Sequence, residues 1–149
     1  MNVKYLFLFF LTLFIAACTT LNTQKTFNNQ VYILNKNSTA NRFFYLQKDN
    51  PKKVIVIEKR EVPVALEQYV EKRIDKEQKY RKQDCSIKKR SLDRVEYYLC
   101  QYQKKPSTIV YYFEQAPKQT VITKIFVSKN SRLNEKEIRS VVNELINFK

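Results

Sequence analysis

The chain has 149 residues, with 28 Lys and Arg against 14 Asp and Glu, a formal charge of +14, and neither histidine nor glycine. Without His there is no side chain that titrates naturally near neutral pH, which removes Ser-His-Asp and Cys-His catalytic arrangements. Without Gly there is no glycine-built phosphate loop and no low-cost positive-φ turn, so hairpins are expected to use Asn, Pro and longer loops.

The N-terminus carries Lys4 and then an almost unbroken apolar run of 13 residues, Tyr5 to Ala17. A membrane-spanning helix needs about 20 apolar residues, so this run fits a cleaved signal segment better than a span. It closes on Ile15-Ala16-Ala17-Cys18, which resembles the lipobox of bacterial lipoproteins. The resemblance implies export, lipid attachment to the Cys18 sulfur, cleavage before Cys18 and acylation of the new amine with a chain such as palmitate. A simple secreted form and an uncleaved anchor are the alternatives. Ordinary signal-peptidase cleavage after Ala17 would place Ile15 where a small residue is wanted, whereas a cut after Cys18 would use Ala16 and Cys18. Stable membrane residence takes two lipid signals, and a diacylglycerol plus an amide-linked chain supplies them. Thr19 stands where an Asp favours inner-membrane retention in enteric-type lipoproteins. By the same resemblance the domain is expected at the outer membrane, facing the periplasm.

Removing residues 1–17 leaves Cys18 to Lys149, 132 residues with 27 basic and 14 acidic groups, enough for one core. Residues 18–30 begin with the lipidated cysteine and continue as a polar, Thr- and Asn-rich stretch without apolar periodicity, which suggests a flexible tether with a reach on the order of 20 Å. Residues 31–149 then form a single domain. Strand patterns follow at Val31–Leu34 and Arg42–Leu46, and after Asp49-Asn50-Pro51 the β-branched run Val54-Ile55-Val56-Ile57 suggests a strand covered on both faces. Pro63 stands where a helix would begin. Val62, Leu66, Tyr69, Val70 and Ile74 give a helical stripe extending to about Gln83, with Lys79, Arg81 and Lys82 at its C-terminal end, where the helix dipole favours cations.

Three alternating runs come next, Leu92–Gln103, Thr108–Glu114 and Thr120–Val127, separated by Lys104-Lys105-Pro106 and Ala116-Pro117-Lys118. They predict an antiparallel meander. Asn134 and Glu137 form a capping-box pattern with Leu133 and Ile138 at the staple positions. Ile138, Val141, Val142, Leu145 and Ile146 complete an apolar stripe on the last helix. The expected fold is α+β, a largely antiparallel sheet of about six strands in the order βββ–α–βββ–α with helices packed on its faces. In element order alone, over residues 31–149, this resembles the PsbP/Mog1-like domains of some small bacterial lipoproteins. That resemblance implies a binding or assembly-accessory module and transfers no functional residue.

Cys85 and Cys100 form an even pair in an oxidising compartment, and a disulfide between them would close about 16 residues and contribute roughly 3 kcal/mol. Two free buried thiols are the alternative. Two spare thiols and no His do not make a zinc site, calcium-loop spacing is absent, and no cofactor is expected. A Ser-Lys device would have to draw on Ser86, Ser91, Ser107, Ser128, Ser131 or Ser140, whose lysine neighbours are what so basic a composition gives by chance. Glu67 and Glu71, one turn apart, are flanked by Lys72 and Arg73 and suit a solvated face.

The main lead is charge. Lys72, Arg73, Lys76, Lys79, Arg81, Lys82, Lys88, Lys89 and Arg90 face only three acids in the same stretch, a concentration that attracts anions over about 8 Å at physiological salt. The alternative is a solvated lysine-rich surface. Tyr97, Tyr98, Tyr102, Tyr111, Tyr112 and Phe113 could stack sugars or bases, but alternation buries half of them and Tyr is a good strand former. An envelope location argues against nucleic acid. The reading these residues favour is a non-catalytic envelope-tethered module that binds a periplasmic protein or an anionic lipid or glycan surface. The other class is an inhibitor or immunity lipoprotein neutralising a secreted toxin or hydrolase, for which so basic a chain would need an acidic target.

Overall fold

The computed structural model describes residues 23–81 and 84–149. The strands β1 (Gln24–Phe27), β2 (Gln30–Leu34), β3 (Arg42–Gln47) and β4 (Lys53–Glu61) precede helix α1 (Leu66–Arg81). Strands β5 (Lys88–Leu92), β6 (Val95–Gln101), β7 (Thr108–Ala116) and β8 (Thr120–Ser128) follow, and helix α2 (Glu135–Asn147) ends the chain. All eight strands form one sheet in the order β1-β2-β3-β4-β8-β7-β6-β5, antiparallel throughout. The α+β class and antiparallel meander hold, but the sheet has eight strands rather than six and the order is ββββ–α–ββββ–α. The element order behind the PsbP/Mog1-like resemblance is therefore not the one the chain adopts.

The first added strand, β1, lies in the stretch that composition assigns to the tether. Phe27 is 1% exposed, stacks on Phe126 at 5.5 Å and meets Phe148 edge-on at 5.7 Å, so one apolar residue is enough to dock it. The second, β5, is the cationic run Lys88-Lys89-Arg90 ending in buried Leu92. It pairs with β6 on one side only, and lysines on such an edge discourage pairing with another chain.

Tight turns also replace the longer loops expected of a glycine-free chain. Asn28-Asn29 and Asp93-Arg94 join their strands in two residues, both at positive φ. Lys118 and Gln119 take positive φ in the β7–β8 turn.

The alternation read from β6, β7 and β8 holds, and it sorts the side chains into two cores. On one face Tyr97, Leu99, Val110 and Phe126 join Ile55, Ile57 and the α2 stripe Ile138, Val141, Val142 and Leu145. On the other, Val56, Cys100, Ile109, Tyr111 and Ile125 pack with Cys85 and the half-buried Ile74 of α1. The β4 run is thus covered on both faces as its sequence suggests. The α2 cap is also as read: Asn134 Oδ1 accepts from Glu137 N–H at 2.9 Å, and Asn134 N–H donates to Glu137 Oε2 at 2.8 Å. Helix α1 begins three residues after Pro63 and buries Val70 alone among its own residues.

Because β1 docks through one ring, Phe27→Ala should lower unfolding free energy by about 3–5 kcal/mol, measured as a shift in denaturant midpoint. A change within about 0.5 kcal/mol, as at an ordinary surface position, would return residues 24–30 to the tether.

Candidate functional site

Cys18 and Lys82 lie outside the described residues. Cys85 and Cys100 are joined by a disulfide with a Cα–Cα distance of 5.7 Å, and both residues are buried. The bond ties the segment after α1 to β6. The Gln78 side chain reinforces it, donating from Nε2 to the Cys85 carbonyl at 3.0 Å and accepting from Ile87 N–H at 2.7 Å.

The remaining basic residues do not share one surface. Cross-strand partners project from the same face, so Lys88 and Arg90, opposite Leu99 and Tyr97, lie on the α2 face. Lys89, opposite Tyr98, lies on the α1 face, where it pairs with Glu96 at 2.7 Å. Glu67 raises the Lys89 pKa from a distance, after the larger effects of Glu96. Glu67 and Glu71 sit on an exposed helix face as their flanking cations suggest. Lys72 and Lys79 are exposed on α1.

Arg73, Lys76 and Arg81 instead line an open cleft of about 920 Å³ between α1 and the β3–β4 pair. Its floor is an ion-pair network. Glu58 accepts from Arg42 at 3.0 Å and from Arg73 at 3.2 Å, and Glu77 holds Arg73 at 3.1 Å and Arg81 at 3.3 Å. Arg81 Nε donates to the Tyr111 hydroxyl at 2.9 Å, Arg81 also donates to the Tyr102 hydroxyl, and Tyr111 donates to Glu77 at 3.3 Å. Arg81 is partly buried, which works against its charge, yet Tyr111, Tyr102 and Glu77 outweigh burial and raise its pKa. Tyr111 is pushed up by burial, with Glu77 adding and Arg81 opposing. Two of the nine cations are thus consumed in holding the helix.

At the mouth the balance changes. Arg42, with 53% of its side chain exposed, is joined by exposed Arg60 and Lys76. Neither of these two makes an ion pair among the described residues. Arg42 and Arg60 escaped the sequence reading because they precede the dense basic stretch and only pairing brings them beside it. The aromatic row is covered on both faces rather than half exposed: Tyr97 and Tyr111 belong to opposite cores, and Tyr98, Tyr102, Tyr112 and Phe113 are half-buried, Phe113 packing edge-on against Tyr69 and Tyr98.

A second concavity lies on the α2 face, an apolar groove of about 640 Å³ lined by Phe43, Tyr45, Ile57, Ile122 and Phe148 with Lys25, Lys59, Lys124 and Lys149 around it. No sequence signal marked it, since its four lysines are far apart along the chain. Among the described residues no group of three or more acidic or thiol side chains is placed to hold a metal ion, and no helix is long and apolar enough to cross a membrane. No family model matches the chain, and neither a curated protein nor a solved structure shows significant similarity to it.

Alkaline titration tests the buried tyrosines. Burial raises Tyr32 from 10.0 to about 12 and raises Tyr111 as well. The folded state holds these protons after the unfolded chain has released them, so their stabilisation is complete below pH 10 and is lost as pH climbs toward the folded values. Tyr32→Phe should flatten the decline in unfolding free energy between pH 10 and about 12. An unchanged slope would show that Tyr32 does not contribute to it.

Proposed function

We propose that the chain is a non-catalytic module of the bacterial cell envelope, lipid-anchored through Cys18 at the outer membrane and facing the periplasm. It binds an anionic envelope surface through the mouth of the cleft between α1 and β3–β4. One observation carries the surface assignment. The cleft floor engages Arg42, Arg73 and Arg81 with Glu58 and Glu77, which leaves Arg60 and Lys76 at the mouth without an ion pair among the described residues, with Lys59 and Glu61 as the other charged residues of the lining. Exposed cations without partners contribute little to folding, whereas phosphate-bearing headgroups and glycans would complement them electrostatically. No general base is needed for such a role, and none is supplied by histidine.

A second reading rests on Tyr80, which is 83% exposed at the edge of the same cleft. A protruding tyrosine beside arginines has the composition of a protein-interface hot spot. It would suit an inhibitor or immunity lipoprotein acting on an acidic secreted protein.

Two experiments test these proposals. Cys18→Ser should abolish palmitate labelling and release the protein from the membrane fraction; retained labelling would overturn the anchor. The released protein should then sediment with vesicles containing anionic phospholipid and not with purely zwitterionic ones, and binding should fall as salt rises. Arg60→Gln with Lys76→Gln should abolish that sedimentation. Binding indifferent to lipid charge or to the double variant would overturn the surface reading, and Tyr80→Ala would then become the informative variant for a protein partner.

A further inference from the structure

Helix α2 leaves part of its face of the sheet uncovered. Its 13 residues extend about 20 Å, whereas the nine-residue strands β4, β7 and β8 reach about 30 Å. Beside Phe148, just past the helix end, the groove opens over Phe43, Tyr45, Ile57 and Ile122. Its volume of about 640 Å³ falls in the range of roughly 300–1,000 Å³ usual for small-molecule sites.

Three ammonium groups converge on this floor from three different strands. Lys25 Nζ lies 5.0 Å from the Phe148 ring centroid and 5.6 Å from that of Tyr45. Lys59 Nζ lies 5.9 Å from the Phe43 ring, and Lys124 Nζ 5.6 Å from the Tyr112 ring. Glu114 is the acidic side chain of the lining, and it is engaged by Lys124 at 3.0 Å. Among the described residues Lys25 and Lys59 make no ion pair. Burial, followed by repulsion from Lys59 and Lys124, pushes the Lys25 pKa below the ordinary lysine value. Like charges gathered over an apolar floor weaken the fold unless an anion joins them.

We infer that this groove binds a single-chain amphiphile with an anionic head, its hydrocarbon lying along Phe43 and Ile122 and its carboxylate or phosphate between Lys25 and Lys59. A small hydrophilic anion would leave the apolar floor unused, and a neutral lipid would leave the lysines unanswered. The apolar surface open to a chain is that of the half-buried Phe43 and Ile122, with Tyr45, Ile57 and Phe148, each less than a tenth exposed, packed beneath them. The site lies on the opposite side of the sheet from the α1 cleft, so it stands or falls independently of vesicle binding there.

The test is calorimetric titration of the exported protein carrying Cys18→Ser, so that its own lipid cannot compete. The probes are decanoate and decyl phosphate below their micellar concentrations, with decanol as the neutral chain and acetate as the head without a chain. Saturable binding is expected for one or both anionic amphiphiles, and whichever binds tighter identifies the headgroup. Decanol should bind at least about tenfold more weakly, in line with the loss of a charge-assisted contact, and acetate should not bind. Lys25→Met with Lys59→Met keeps the apolar stems and should weaken the anionic probes by a similar factor while leaving decanol unchanged. If that double variant does not fold, the unaltered groove still decides the matter, since affinity should rise from octanoate to dodecanoate. Absence of saturable binding, equal affinity for decanol, indifference to both lysines in a folded variant, or no dependence on chain length would each overturn the inference.

Discussion

The pairing of β4 with β8 is the constraint on which the rest of this structure depends. The chain makes two four-stranded meanders, one on either side of α1, and only this contact fuses them into a single sheet. Its register runs without interruption from Lys53 opposite Ser128 to Glu61 opposite Thr120. Both strands are central and covered on both faces, so their alternation decides what each face contains. Ile57 and Lys59 go to the α2 side and supply the groove, while Glu58 and Arg60 go to the α1 side and supply the cleft. A slip of one residue would exchange the two sets, burying Glu58 among the aromatic rings and leaving Arg73 without its partner.

The two helices are attached by different physics. Helix α2 is held by an apolar stripe, a capping box and the hydrogen bond from Leu133 N–H to Thr108 Oγ1 at 3.0 Å. Helix α1 has little apolar surface to bury and is strapped to the sheet by arginines, glutamates and tyrosine hydroxyls, with the disulfide closing the segment behind it. A partly buried ion-pair network contributes less net stability than its geometry suggests, because desolvation opposes attraction. What it does provide is orientation: Arg73 reaches Glu58, Arg81 reaches Tyr102 and Tyr111, and Glu77 accepts from Tyr111, so α1 cannot rotate about its axis without breaking several contacts to the sheet. The rim of the cleft inherits that fixed orientation.

Legibility in the sequence follows the same division. The last helix, its cap and the three alternating strands could be read directly because apolar periodicity and backbone geometry agree there. Strands β1 and β5 could not, since Phe27 and Leu92 are their main apolar residues and the rest of each strand has the composition of a loop. Their existence depends on partners already placed in the sheet. The turns were hidden for a related reason. Asn and Asp tolerate left-handed backbone, but Arg94, Lys118 and Gln119 adopt it at a cost of about 1–2 kcal/mol each, imposed by the strands they connect. The basic stretch from Lys72 to Arg90 was legible as composition and not as a surface, because a helix and an edge strand distribute it over both faces.

The excess positive charge therefore cannot be treated as one property. Lys88, Lys89 and Arg90 occupy an open edge, where charge discourages edge-to-edge association. Arg73 and Arg81 hold a helix that apolar packing alone would hold poorly. Lys124 is 3% exposed and is satisfied by Glu114 together with the Ile146 carbonyl at 3.4 Å. These positions have sufficient structural reasons for being basic. Arg60 and Lys76 at the cleft, and Lys59 over the groove, have none of these reasons: they sit away from the exposed strand edges and make no ion pair among the described residues, and Lys25, although on the edge strand β1, makes none either. Lys25 in addition gives up part of its hydration and meets repulsion from its neighbours. Cations placed at a cost to the fold, in concavities that could hold a ligand, are where an anionic partner would recover the most free energy.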